Sequence, residues 1–203
     1  MPNTNTNELM RPRQDDDKAL ASCYELAEVL CSAVLAIAVL FTFAARFAGV
    51  VGTSMVPTLN NRDWLAVTAY LARPARGDIV IISPRTNSFH EPLVKRVIAT
   101  GGQVVDIRDG RVFVDGEAIQ EPYLPDGVVT EPGPWYRRDS MEYPATVPAG
   151  RVFVLGDNRG GSADSRVSDV GFIREDDILG RVVFRLHPLF SKTPQFHFTF
   201  QVR

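Results

Sequence analysis

The sequence predicts a mainly β protein, in which a single N-terminal transmembrane helix precedes a β-rich, barrel-like domain. Three observations predict it. An uncharged, membrane-length run extends from Val29 to Ala45. Beyond Ala48 the chain breaks into short Val/Ile-rich pieces separated by Gly, Pro, Asp and Asn, which is the texture of strands and turns. No long segment with a 3.6-residue period follows, and 203 residues suit one domain of moderate size plus an appendage.

Taken in order, residues 1–24 are polar and include the acidic run Asp15-Asp16-Asp17, so they are expected to form a disordered cytoplasmic tail. Residues 25–47 are expected to be the anchor helix. Its uncharged core has 17 residues, the lower limit for a span, and Leu26, Ala27, Phe47, Ala48 and Val50 lengthen the apolar stretch. The run is apolar all round, which argues against a core helix of a small domain with one polar face. A cleaved signal peptide is the other alternative, since Thr42-Phe43-Ala44 has the small-x-small form, but the preceding tail is long for one. Arg11, Arg13 and Lys18 precede the run and Arg46 and Arg62 follow it, a bias that puts the N-terminus on the cytoplasmic side.

Residues 48–190 are expected to form the β-rich domain. Strands are predicted at Trp64–Thr68, Ile79–Ser83, Leu93–Ala99, Val104–Ile107, Val112–Val114, Arg151–Leu155 and Gly180–Arg185, with a hairpin turn at Arg108-Asp109-Gly110-Arg111. Within this domain residues 115–150 carry six prolines and read as a lobe or long excursion. Residues 191–203 are a separate C-terminal segment. There Phe196, Phe198, Phe200 and Val202 alternate, as in a strand with one apolar face that covers the core or lies in a membrane interface.

Composition narrows the chemistry. The 22 basic and 24 acidic residues nearly cancel and no basic stripe is interleaved with aromatics, so nucleic acid is not expected as a partner. Two cysteines, Cys23 and Cys31, lie in or just before the apolar run, and His90, His187 and His197 are scattered, so neither a metal nor another cofactor is expected. The β-rich part, free of cysteine, can work in an oxidising compartment without a disulfide.

Three stretches carry candidate chemistry. The first is Gly52-Thr53-Ser54-Met55-Val56-Pro57-Thr58-Leu59, directly after the apolar run, where Gly52 permits close approach of a peptide and Pro57 fixes φ beyond the candidate nucleophile Ser54. A serine hydroxyl needs a base. Lys95, in Leu93-Val94-Lys95-Arg96-Val97-Ile98, is expected to be half-buried on its strand, and burial lowers a lysine pKa towards a neutral amine that can take the serine proton. The third stretch, Gly156-Asp157-Asn158-Arg159-Gly160-Gly161-Ser162-Ala163-Asp164-Ser165-Arg166, is a polar, glycine-rich loop at a strand end. Ser162 is placed to hydrogen-bond Lys95, and Asp164 to pair with Arg166 or Arg96.

Together SMVPTL at Ser54, RGDIV at Arg76 to Val80, KRV at Lys95 and GDNRGGSADSR at Gly156, in this order after an anchor, resemble the signature boxes of type I signal peptidase, the membrane-bound Ser-Lys protease that removes signal peptides. The resemblance covers about Val29 to Phe184. It implies Ser54 as nucleophile and Lys95 as general base, with Ser162, Asp164, Arg166, Arg96 and Gly156 in support. It also implies Val50, Met55, Leu59, Ile81 and Val94 as the lining of shallow pockets for alanine-sized side chains. Signal peptides of preproteins, membrane lipid and the protein export machinery are the implied partners, and a single-pass cell-membrane protein with an extracytoplasmic catalytic domain is the implied location. Two positions depart from the family: Ala99-Thr100-Gly101-Gly102-Gln103 stands where many members read Gly-x-Pro-Gly-Asp, and Gly52 where some carry a serine that completes the oxyanion hole.

Other readings remain open from the residues alone. A self-cleaving Ser-Lys repressor peptidase would need a DNA-binding domain where the chain has an apolar run. A Ser-His-Asp hydrolase using His90 would need the absent Gly-x-Ser-x-Gly elbow. A membrane-anchored β-rich scaffold that binds extended peptides would leave Ser54 and Lys95 incidental.

Overall fold

The computed structural model describes residues 14–43, 46–68, 73–84, 91–133 and 140–186, which form two compact units, Met1–Ala44 and Ala45–Arg203. The expectations for residues 1–13, for His90 and for the phenylalanine-rich segment 191–203 lie outside the described residues.

The first unit is the helix α1, Gln14–Phe43. Its segment Leu20–Ala38, 19 residues long, is apolar enough to cross a membrane, and none of it is buried. That exposure argues against the core-helix alternative, because Leu26, Leu30, Val34 and Leu35 are all exposed. The helix begins ten residues before the expected end of the disordered tail at 24. Asp15, Asp16 and Asp17 lie within its first turn, so the run that reads as a tail starts the helix instead.

The second unit is mainly β, and every strand pairing in it is antiparallel. Among the described residues its strands are β1 (Arg46–Gly49), β2 (Trp64–Thr68), β3 (Ile79–Ile82), β4 (Leu93–Thr100), β5 (Val104–Arg108), β6 (Arg111–Val114), β7 (Glu117–Ala118), β8 (Ala145–Thr146), β9 (Arg151–Leu155), β10 (Ile173–Arg174) and β11 (Ile178–Leu186). The larger sheet runs β1-β2-β11-β3-β4-β9-β10 and the smaller β7-β6-β5-β8. All seven strands expected from the sequence form, with ends that differ by at most two residues. The anchor, however, does not reach residue 47. Arg46–Gly49 pair with β2, setting Phe47 opposite Ala66 and Gly49 opposite Trp64. An apolar pair such as Phe47-Ala48 fits a helix or a strand equally well, so hydropathy alone could not place that boundary.

The proline-rich excursion is less irregular than expected, since it supplies β7 and β8 to the smaller sheet. The β5–β6 hairpin closes as expected, with Arg108 opposite Arg111 and both Asp109 (φ 50) and Gly110 (φ 73) in the left-handed region that a two-residue turn requires. The turn after β4 survives its departure from the family pattern. The Gln103 side-chain oxygen accepts the Thr100 N–H at 3.0 Å, as a carboxylate would, and Gln103 N–H closes on the Thr100 carbonyl at 3.1 Å.

Alternation along the strands divides the interior into three clusters. Ile98 and Ala99 of β4 with Phe153 and Leu155 of β9 pack against Val105, Ile107, Val112 and Val114 of the smaller sheet. Val80, Ile82, Val97, Val152 and Val154 form a second cluster with Val170, Ile173 and Ile178. Val50, Met55, Leu59, Leu65, Val67 and Ile81 form the third. The middle of β4 is therefore covered on both sides, which fixes the depth of the lysine it carries.

Candidate active site

Ser54 lies in the turn between β1 and β2. The Val50 N–H donates to the Asp63 carbonyl and the Arg62 N–H to the Val50 carbonyl, both at 2.8 Å, which closes the base of the turn. Met55 and Leu59, each 2 % exposed, drop into the third cluster and hold the turn down, while Ser54 stays partly open. Gly52 adopts φ +100 with nothing within 4 Å of where a Cβ would stand, so the chain just before Ser54 is open to approach from outside.

The β4 strand brings Lys95 to this serine across 41 residues of sequence. Lys95 Nζ donates to Ser54 Oγ at 2.8 Å and to its neighbour's carbonyl, Val94 O, at 3.0 Å. The side chain is buried at 2 % exposure, deeper than the expected half-burial. A strand alternation sees only two faces, and it misses a loop that folds over one of them. Burial brings the Lys95 ammonium down from 10.5 to about 8, while the nearby charges of Asp164 and then Asp157 hold it up.

That covering loop follows β9 and is itself mostly buried. The Asn158 N–H donates to the Ser54 carbonyl at 3.0 Å and its amide Nδ2 to the Thr53 carbonyl at 3.2 Å, tying the loop to the serine backbone. Gly156 is required here by contact: a Cβ would stand 2.5 Å from the Ser54 carbonyl oxygen and collide with the Ser162 hydroxyl. Arg166 donates through Nε to Asp164 Oδ1 at 2.8 Å, and the Gly156 N–H donates to the same carboxylate's Oδ2 at 3.0 Å.

Two sequence expectations need correction. Arg96 does not pair with Asp164; it grips Asp157 through two hydrogen bonds, at 2.9 and 2.7 Å, since Asp164 is already taken by Arg166. The Ser162 hydroxyl does not hydrogen-bond Lys95. It is fully buried against Gly156 and has no hydrogen-bond partner among the described residues.

The five expected lining residues do come together. Val50, Met55, Leu59 and Ile81 are core members of the third cluster and Val94 packs against it, opposite Ile81 in the β3–β4 register. Sequence reasoning missed Asn158 and Arg159 as structural ties, although both stand inside the third stretch. It also missed Glu121 and Tyr123, for which the proline-rich composition offered no signal.

The arrangement has the parts that acyl transfer needs, a buried amine with a lowered pKa within hydrogen-bond distance of a partly open serine hydroxyl. Comparison with known proteins identifies the family. Residues 23–187 match the family described as signal peptidase, peptidase S26. Signal peptidase I T of Bacillus subtilis is 37% identical over 140 residues, covering 68% of this chain and 71% of its own. A probable signal peptidase I-1 of Synechocystis is 35% identical over 169 residues, 79% of this chain and 80% of its own. A solved signal peptidase I from Enterococcus faecalis is 27% identical, covers 55% of this chain and 98% of its own, and superposes with a TM-score of 0.43.

Proposed function

We propose, for a chain that belongs to the signal peptidase family, peptidase S26, a serine endopeptidase that removes N-terminal signal peptides from exported preproteins by a Ser54-Lys95 dyad. The observation that carries this reading is the 2.8 Å contact between Ser54 Oγ and the Nζ of a buried lysine. In the neutral amine the contact reverses, so that the serine O–H donates to Nζ. Lys95 takes that proton as Ser54 Oγ attacks the scissile carbonyl, then returns it to the leaving amine; the acyl-enzyme is hydrolysed by a water that the same lysine deprotonates. The Ser54 N–H is the backbone donor for the developing oxyanion, and Asn158 fixes the orientation of that peptide segment.

Substrate enters as an extended strand beside Gly52. Its small side chains, in the A-x-A-like pattern, meet the apolar surface of Val50, Met55, Leu59, Ile81 and Val94. A single-pass anchor with a cytoplasmic N-terminus and an extracytoplasmic domain fits the apolar α1, and the exposed Val51, Phe47 and Phe184 fit a domain that works against membrane lipid. Preproteins delivered by the export machinery are the substrates this placement serves. The test is cleavage of a preprotein by detergent-solubilised enzyme. Ser54→Ala and Lys95→Ala are each expected to lose at least about 1,000-fold in kcat, and folded variants that cut at the wild-type rate would refute the dyad.

A further inference from the structure

The loop that carries Asp157 and Asp164 is held by a tripeptide of the proline-rich excursion, Glu121-Pro122-Tyr123. Arg159, within that loop, is buried. Its Nε donates to the Gly156 carbonyl at 3.1 Å and its Nη1 to Thr130 Oγ1 at 2.6 Å. Both terminal nitrogens meet the Glu121 carboxylate in a forked ion pair. Two residues on, the Tyr123 ring lies under the Arg96 guanidinium, 3.8 Å from its carbon to the ring centroid, and the Tyr123 hydroxyl donates to Glu121 Oε1 at 2.6 Å. Arg96 is the residue that grips Asp157. One short segment therefore contacts both the cation that grips Asp157 and the cation that holds the Gly156 carbonyl.

We propose that Glu121 and Tyr123 are positioning residues for Lys95, acting through Arg159 and Arg96 on the loop Gly156–Arg166. The proposal rests on the dyad reading of Ser54 and Lys95. Its physical basis is that the loop both excludes water from Lys95 and carries Asp157 and Asp164, the charges that oppose the effect of burial on the amine. Without Glu121 the Arg159 guanidinium loses its counter-charge in a buried site, and its cheapest escape is to turn towards water. The turn at Gly156 is then released, along with the Asn158 hydrogen bond that holds the Ser54 carbonyl. Water reaching Nζ favours the ammonium, so the base needs a higher pH to become neutral. The groups that face Lys95 are Ser54 from the β1–β2 turn, Val94 O from its own strand, and Asp164 and Asp157 from the loop.

The experiment measures kcat, KM and the pH–rate midpoint for a peptide substrate, with the full chain in detergent. Glu121→Ala is expected to lower kcat about ten-fold and raise the midpoint by about half a pH unit or more, with KM within about two-fold because the apolar lining is untouched. Tyr123→Leu is expected to act in the same direction, whereas Tyr123→Phe, which keeps the ring under Arg96, restores most of the rate. A folded Glu121→Ala enzyme with the wild-type midpoint overturns the proposal, even if it melts earlier, because a purely structural brace would not move the titration. If Glu121→Ala does not fold, Glu121→Gln is read instead: a displaced midpoint at unchanged KM supports the proposal and an unchanged midpoint overturns it. Ser54→Ala and Lys95→Ala are run beside these. Cleavage surviving in them refutes the dyad whatever Glu121 does, while their inactivity beside an unaffected Glu121→Ala refutes only the positioning role.

Discussion

At the scale of single residues, the site depends on a lysine that is costly to bury. Its folded pKa of about 8 lies below the ordinary 10.5. The rate is therefore expected to rise with pH and level off above about 8, since only the neutral amine accepts the Ser54 proton; a rate that is flat between pH 6 and 10 would contradict this. The stability consequence has its own sign. Below pH 8 both folded and unfolded chains carry the proton and the cost of the buried charge is fully present; between about 8 and 10.5 only the unfolded chain holds it, and stability rises with pH. Lys95→Met is thus expected to stabilise the fold at pH 7 by about 1–3 kcal/mol and much less at pH 10, measured by urea unfolding at both pH values. Gly156→Ala should do the opposite. Its methyl meets the Ser54 carbonyl oxygen at 2.5 Å, so the loop must lift, and a loss of about 100-fold in kcat is expected in a steady-state assay. That Ser54, Lys95 and Gly156 come together was legible because each stands in a short stretch whose residue types suit one chemistry. The partner of Arg96 was not. Two carboxylates lie within one loop, and only the fold decides that Asp164 is spent on Arg166 and Asp157 is left for Arg96.

At the scale of elements, strands that are buried on a face announce themselves, and those held only by pairing do not. Ile79–Ile82 and Arg151–Leu155 are apolar runs that sit between clusters. The two-residue strands β7, β8 and β10 have no period to read, and β1 follows too closely on the apolar run to be told from it. Nor does a strand's own sequence show how the end of β11 serves the turn that carries Ser54. Arg185 donates to the Thr58 carbonyl at 2.9 Å and pairs with the buried Asp63 at 2.7 Å, while Asp63 also accepts the Asn60 N–H at 2.7 Å. A distant strand thus pins the turn that carries Ser54. Arg185→Ala is expected to destabilise the fold by about 1–2 kcal/mol, because it leaves a buried carboxylate short of its cation. Asp63→Asn should cost less when Arg185 is already Ala. Additive effects in that double-mutant cycle, read from urea midpoints, would show that the pair does not act together.

At the scale of the whole molecule, the decisive boundary lies between the helix and the first strand. Reading residues 25–47 as anchor assigns Phe47 to the membrane, whereas the fold spends Arg46–Gly49 on the edge of the larger sheet, next to the strand whose Leu65 and Val67 join the cluster that holds Met55 and Leu59. Ala48 packs against the same apolar cluster as Leu65 and Val67. The two alternatives separate when the chain is shortened. A chain of residues 46–203 keeps β1 and is expected to fold, to cut a short peptide at close to the full-length rate, and to lose its hold on lipid vesicles with α1. A chain of residues 50–203 uncovers the outer edge of β2 and removes Ala48 from the cluster. It is expected to be less stable by about 1–3 kcal/mol and more prone to aggregate, since an unpaired strand edge is a template for other chains. The effect should reach the chemistry, because Val50 and Asp63 close the base of the Ser54 turn where β1 ends and β2 begins. Urea unfolding and peptide cleavage on the two chains decide the matter. Equal stability and equal rates would mean that Arg46–Gly49 belong functionally to the anchor after all.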